Sequence, residues 1–136
     1  MGTVAIQNCI KCHKNIETLA DIRLRTTDYD GDGDKNEGVA HEVETLAEAL
    51  LATMGAYSRD VVGEPMTYDA HQYPYFMKAS GGSYDMFTPR LLQAAYNYQF
   101  VQKDPGAFAH NSRYVVQALF DSIEDLGGDV SGFARP

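Results

Sequence analysis

The stretch Cys9-Ile10-Lys11-Cys12-His13 decides how the rest of this sequence is interpreted. The pattern C-x-x-C-H is the attachment signature of c-type haem. Cysteines three residues apart lie on one side of a helical turn, where both can form thioethers with the vinyl groups of one porphyrin. The histidine that follows then becomes the proximal iron ligand. The sequence therefore predicts one covalent haem c, held by Cys9, Cys12 and His13.

Two other uses of a Cys-x-x-Cys pair are weaker interpretations. A thioredoxin-type dithiol needs a βαβ setting, which this chain lacks. A zinc site needs four ligands, and no second cysteine pair or regularly spaced histidine pair completes one. Two cysteines are also too few for a disulfide scaffold. Haem attachment is the first hypothesis, with a zinc site or a redox dithiol as the alternatives.

A six-coordinate haem needs a distal ligand, and three histidines lie outside the motif. We expect His110 first, because it stands just before a helix that Asn111 or Ser112 caps. His71 is second, since it lies in an aromatic stretch suited to lining a porphyrin. His41 is interpreted as a solvated surface residue. Methionine ligation is the remaining option, but methionines more often fill a core; the candidates are Met66, Met77 and Met86.

An acidic loop follows the haem motif. Asp28, Asp30 and Asp32 occupy the first, third and fifth positions of a D-x-D-x-D-G pattern, the first half of an EF-hand-type calcium loop. Alternating carboxylates place several hard oxygens around one centre, and their mutual repulsion is costly without a cation. The sequence predicts a structural Ca²⁺ bound by the loop 28–39, with a solvated acidic turn as the alternative.

The second half of this loop departs from the EF-hand pattern. Asp34 would offer a backbone carbonyl at the seventh position, but the twelfth position is Val39 where the pattern has a bidentate glutamate. Glu37, or Glu42 on the following helix, is expected to replace it. A true EF-hand sensor is not indicated, because the second half of the motif is absent.

Three segments show helical signals. Apolar residues recur at helical spacing over 39–56, a Thr-Pro start opens 88–103, and a third periodic stretch covers 111–126 before Gly127. A looser helical period runs from 9 to about 25, whereas 60–87 is rich in proline, glycine and aromatic residues. We predict an all-α fold: one small domain, 1–136, wrapped around the haem, with one long irregular segment and a calcium loop.

Composition narrows the partners. The 136-residue chain has 44% hydrophobic residues, and no apolar stretch approaches the length of a transmembrane helix. Its 11 Lys+Arg against 19 Asp+Glu give a formal net charge of −8, which disfavours nucleic acid. With 9 Tyr, 6 Phe and no Trp, the chain can wrap a flat apolar ring and use it as core. The partners expected are other redox proteins, haem proteins among them, and the sequence does not indicate an oligomeric state.

The location follows from the haem motif. Residues 1–4 show no basic region followed by an apolar run, so no signal peptide is present in this sequence. Haem c is attached outside the cytoplasm in bacteria. We therefore expect a mature protein, or an excised domain, of periplasmic or extracellular (cell-surface) location.

Stretches 28–38, 68–76, 88–100 and 104–111 together resemble one region of the large multihaem c-type cytochromes exported by metal-reducing and related anaerobic bacteria. In those cytochromes a His-Asn pair before a helix commonly supplies the distal ligand, which the resemblance carries to His110. Relatives have many C-x-x-C-H motifs and a longer segment at 77–87, whereas this chain has one motif. The resemblance therefore leaves open whether His71 or His110 once served a neighbouring haem.

These observations predict a monohaem electron carrier, not an enzyme, with a bis-His haem and a structural calcium ion. Two alternatives belong to other classes. One is a redox enzyme or gas sensor with an open distal position. The other is a calcium-braced structural module of a larger multihaem assembly.

Overall fold

The computed structural model describes residues 6–23 and 25–136. Within them, helix α1 spans Val39–Tyr57, where a helix was expected over 39–56. Its apolar residues fall at helical spacing and turn one face inward, so that Leu46, Leu50 and Met54 are fully buried. A single π-helical turn, Ser58–Val62, continues the helix before the chain leaves it.

Helix α2 spans Pro89–Lys103 and begins where the Thr-Pro signal predicted it. The Thr88 side chain accepts a hydrogen bond from the Leu91 N–H at 3.2 Å, and Pro89 occupies the first helical position. The helix ends at Asp104, directly before Pro105. The start of the helix therefore follows from its Thr-Pro cap, and its end follows from the proline after Asp104.

Helix α3 spans Ala107–Asp125 and contains a kink at Asn111, whose φ and ψ are −160° and 72°. One helical turn precedes the kink, where a loop was expected. After it, the Asn111 side chain accepts a hydrogen bond from the Tyr114 N–H at 3.3 Å, as predicted for a cap. Gly127 ends the helix with a φ of 81°, a left-handed conformation that favours glycine.

The three helices pack against one another and form one core. The molecule is thus mainly helical, which confirms the coarse form of the fold prediction. The largest fully buried hydrophobic side chains come from all three helices: Leu46, Leu50, Met54, Leu91, Val116, Leu119 and Ile123. Among the described residues, no helix is both long and apolar enough to cross a membrane.

The segment 60–87 is less irregular than expected. It contains a short antiparallel hairpin of β1, Met66–Tyr68, and β2, Phe76–Lys78, with Tyr68 opposite Phe76. Met66 and Phe76 are buried, whereas the turn between the strands is largely exposed. Three-residue strands are too short to show a clear alternation, so the sequence carried little signal for them.

The helical period expected over 9–25 does not produce an α-helix. The described residues there form isolated turns, including a 3₁₀ turn at Leu19–Asp21. Ile10 and Leu19 remain 43% and 36% exposed, so the period does not produce a continuous buried face. A loose periodic pattern whose apolar residues stay exposed is insufficient to hold a short helix.

Candidate functional site

The pentapeptide 9–13 forms a helical turn. The His13 N–H donates to the Cys9 carbonyl at 2.8 Å, and the Cys12 N–H donates to the same oxygen at 3.1 Å. Cys9 is half-buried, Cys12 is exposed, and both are free thiols. Two cysteines three residues apart on one helical turn, followed by a half-buried histidine, form the donor set that thioether attachment and proximal ligation need.

His110 lines a cavity of about 450 Å³. One wall comes from the segment that follows the pentapeptide, and the other comes from the kinked start of α3. The apolar part of the lining includes Leu19, Ile22, Tyr29, Val39 and Phe108. The polar part comes from three arginines, Arg23, Arg25 and Arg113, and from the neighbouring residues His110, Asn111 and Ser112. The cavity is therefore amphipathic, with an imidazole at its edge.

The His110 ring is held by a carboxylate. Its Nδ1 lies 2.9 Å from Oδ2 of Asp104, and the other Asp104 oxygen accepts the Gly106 N–H at 2.9 Å. The hydrogen bond from His110 keeps the pKa of Asp104 below its usual value, with the Gly106 N–H adding to the effect. An ionised carboxylate can only accept, so Nδ1 carries the proton. Nε2 is then the nitrogen available to a metal, as in carboxylate–histidine–metal triads.

Gly106 explains how the ring fits where it does. A Cβ on this residue would come within 2.8 Å of Cε1 and 3.0 Å of Nε2 of His110. The imidazole thus lies directly against the glycine backbone. Asp104 and Gly106 both belong to the short connection between α2 and α3, which therefore positions the ring from two sides.

The other histidines lie in different surroundings. His71 is exposed in the turn of the hairpin, and its N–H donates to the Asp69 side chain at 2.9 Å. It does not line the cavity that contains His110. His41 is half-exposed near the start of α1, with Nε2 3.8 Å from an Asp21 oxygen.

The acidic loop is folded around its own carboxylates. Asp28 accepts the N–H groups of Gly31 at 2.6 Å and Gly33 at 2.9 Å. Both glycines have positive φ, 75° and 95°, which the tight turns require. Asp32 in turn accepts the Asp34 N–H at 2.6 Å. The loop therefore folds tightly around side-chain carboxylate oxygens.

Two groups of carboxylates converge there. Ligand oxygens of Asp28, Asp30 and Asp32 lie within 4.8 Å of one another, and so do those of Asp30, Glu37 and Glu42. Asp30 belongs to both groups. The Asp34 side chain belongs to neither and accepts the Asn36 N–H at 2.8 Å. Both glutamates considered as substitutes at the twelfth position are therefore brought to the cluster.

Glu42 is fully buried and lies between this cluster of carboxylates and the guanidinium group of Arg23. Its Oε1 forms an ion pair with Arg23, whose side chain is 10% exposed, and its Oε2 accepts the Tyr29 N–H. Burial raises the pKa of Glu42, against the opposite effects of the Tyr29 N–H and Arg23. Burial also raises the pKa of Glu37 to about 7, with the charges of Asp30 and Asp32 adding to the shift. In a crowded and partly buried set of acids, a divalent cation would reduce the repulsion between the carboxylates.

Arg23 was not identified from the sequence. Its guanidinium also donates to the carbonyl oxygens of Arg25, Glu37 and Thr27, and so joins the loop to the segment before it. No pattern marks such a residue, because its partners are backbone oxygens and a helix residue 19 positions away.

The C-terminal segment closes the loop from the other side. The Ala134 N–H donates to the Tyr29 carbonyl at 2.9 Å, and a Cβ on Gly31 would collide with the Gly132 carbonyl oxygen. Tyr29 thus joins three parts of the molecule. Its carbonyl contacts the C-terminal segment, its N–H contacts Glu42, and the residue also lines the cavity that contains His110.

No protein-family model, curated protein or solved structure matches this chain.

Proposed function

We propose that this protein is a monohaem c-type cytochrome that transfers electrons through a six-coordinate, bis-His haem. The observation that carries the proposal is His110, which lies at an amphipathic cavity with Nδ1 fixed by Asp104. Cys9, Cys12 and His13 are not among the residues that line this cavity, but with them the chain would have both tethers and both iron ligands that such a haem needs. The resemblance to a region of multihaem cytochromes supports the same assignment.

Each residue in this proposal has one task. Cys9 and Cys12 would tether the porphyrin, and His13 and the Nε2 atom of His110 would ligate its iron. Asp104 keeps His110 in the ligating tautomer. Haem supplies the iron centre that takes up and releases one electron, whereas the chain supplies ligands, burial and nearby charge.

The acidic loop is assigned a structural Ca²⁺. The ligands proposed are the carboxylates of Asp28, Asp30 and Asp32, with Glu37 and Glu42 completing the set. Hard oxygen ligands in this number favour Ca²⁺ over softer cations. Because Glu42 belongs to α1 and Asp28 to the preceding loop, the ion would join these two parts of the chain.

The proposed partner is another redox protein. A net charge of −8 and two imidazole ligands would both favour the ferric state, and hence a low reduction potential. Docking between electron-transfer proteins usually buries a small area and is transient. The proposed location is outside the cytoplasm, because haem c is attached there.

The test begins with protein produced together with the haem-attachment machinery. Intact mass should show one porphyrin per chain, and the spectrum should be low-spin and unchanged by CO. His110→Ala should convert the ferrous protein to a CO-binding form, since it opens the distal position. His71→Ala is the matched control and should leave the spectrum as in the parent.

Other outcomes assign other functions. If His71→Ala alone opens the iron to CO, the distal ligand is His71. A parent protein that is high-spin and binds CO indicates an enzyme or sensor. A colourless protein, with Cys9 and Cys12 both free to alkylate after export, rejects the cytochrome assignment altogether.

A further inference from the structure

The cavity beside His110 concentrates cations in an acidic protein. The sequence has six arginines against 19 acidic residues, and three of those arginines line this one cavity. No aspartate or glutamate is among its lining residues within the described part of the chain. Such a local reversal of charge indicates a place for an anion.

The arginines elsewhere in the chain have a different role. Arg59, Arg90 and Arg135 each form an ion pair with an aspartate. These pairs are exposed, and each one neutralises its own guanidinium. The three arginines outside the cavity therefore leave no unbalanced positive charge on the surface.

Within the cavity, two of the three arginines are uncommitted. Arg23 is already engaged, because it is nearly buried and paired with Glu42. Arg25 and Arg113 are exposed and form no ion pair with any described residue. Two guanidinium groups therefore remain without an ion pair to any described residue, one on each of the two segments that line the cavity.

We propose that Arg25 and Arg113 bind the two carboxylates of a porphyrin placed in this cavity. The inference rests on the proposed function, since the tethered haem is the source of those carboxylates. Guanidinium groups bind carboxylates through paired, charge-assisted hydrogen bonds, which fix orientation as well as adding affinity. The apolar lining formed by Leu19, Ile22 and Phe108 would then face the ring itself.

The test compares three full-length proteins: the parent, R25Q/R113Q, and R59Q/R90Q, which removes the same charge from paired arginines. The reduction potential of each haem-loaded protein is measured from about pH 5.5 to 8. In the parent and the control, the guanidinium groups keep the porphyrin carboxylates ionised. In R25Q/R113Q we expect the reduction potential to rise toward low pH as the porphyrin carboxylates are protonated. The inflection of this curve should lie about one pH unit or more above that of the parent. The other ionisable groups at or beside the cavity, Tyr29, His110 and Asp104, are unchanged in all three proteins.

Failure of this inference is distinguishable from failure of the proposed function. If the haem is attached and R25Q/R113Q has the pH profile of the control, the two arginines do not bind the carboxylates. Heat of phosphate binding to the haem-loaded parent, lost in R25Q/R113Q, would instead assign the cavity to a free inorganic anion and overturn the inference.

A parent without covalent haem calls for a second measurement on the same full chains. Fluorescence titration with metal-free mesoporphyrin IX is compared with titration by its dimethyl ester, which lacks the charged groups. We expect the diacid to bind about tenfold more weakly to R25Q/R113Q than to R59Q/R90Q, with the ester unaffected. Equal binding of the diacid to both variants overturns the inference.

Discussion

The region 39–126 and the region 6–38 are stabilised by different means. The first is dominated by three helices, and its buried residues are mainly hydrophobic side chains at helical spacing. In the second, the described residues include only three buried ones, Tyr29, Asp30 and Gly38. Apolar burial therefore holds the helical region, whereas the N-terminal region depends on charge contacts and backbone turns.

This difference indicates which region needs a bound group. A helical core of this kind is self-sufficient, because each helix covers the apolar face of another. The N-terminal region contains the thiols, the acidic cluster and one wall of the His110 cavity, with little hydrophobic core of its own. Binding energy from a haem or a cation would contribute stability there that packing does not supply.

The largest effect is expected where the two regions are joined by charge. Arg23→Gln leaves the fully buried Glu42 without its cation, so we expect a loss of about 3–5 kcal/mol in the free energy of unfolding. Urea denaturation of the calcium-free protein measures it. Arg59→Gln is the control, because its partner Asp60 is exposed and the loss should stay below about 1 kcal/mol. Equal losses in the two variants would mean that Arg23 does not anchor the N-terminal region.

A smaller effect should follow from removing calcium. A cation present at about 100 times its dissociation constant stabilises the folded chain by about 2.7 kcal/mol. EGTA should therefore lower the melting temperature of the parent, and Asp30→Asn should abolish that difference, because Asp30 belongs to both carboxylate groups. Asp60→Asn, outside the cluster, should keep the full response. An unchanged melting temperature in EGTA would remove calcium from the description of this loop.

The sequence predicted the helical region well because its signals are local. Thr88 caps α2 and Asn111 caps the longer part of α3, as expected from their positions. Burial of Leu46 and Leu50 follows from apolar spacing alone. Each of these features depends on residues a few positions apart, which a single sequence displays directly.

The N-terminal region was harder to predict because its contacts are distant in sequence. The carboxylates at 28, 30 and 32 were evident from their spacing, but the pairing of Arg23 with Glu42 was not. The grouping of Arg25 with Arg113 depends on two segments 88 positions apart. A helical period over 9–25 was also misleading, since the described residues there form short turns and leave Ile10 and Leu19 exposed. Tertiary placement of charges leaves no periodic trace in a sequence.

The smallest effect expected is the pH dependence of the acidic cluster without calcium. The pKa of Glu37 is raised to about 7 in the folded chain, from 4.5, mainly by burial. Between these values the folded state holds a proton that the unfolded state releases. The contribution of Glu37 to stability is therefore complete below pH 4.5 and is lost as the pH rises through about 7. Because the side chain is only partly buried, we expect about 1 kcal/mol.

Glu37→Gln separates this contribution from those of the other acids. In EGTA, the stability of the parent relative to Glu37→Gln should fall as the pH rises from 4.5 to 7, and Glu44→Gln, an exposed residue of α1, should show no such trend. With saturating calcium the trend should disappear, because a bound cation favours the ionised carboxylate. A relative stability that is constant with pH in EGTA would mean that Glu37 is ionised in the folded protein. The cluster would then resemble a solvated acidic turn more than a buried site. The N-terminal region would in that case depend less on its carboxylates for stability.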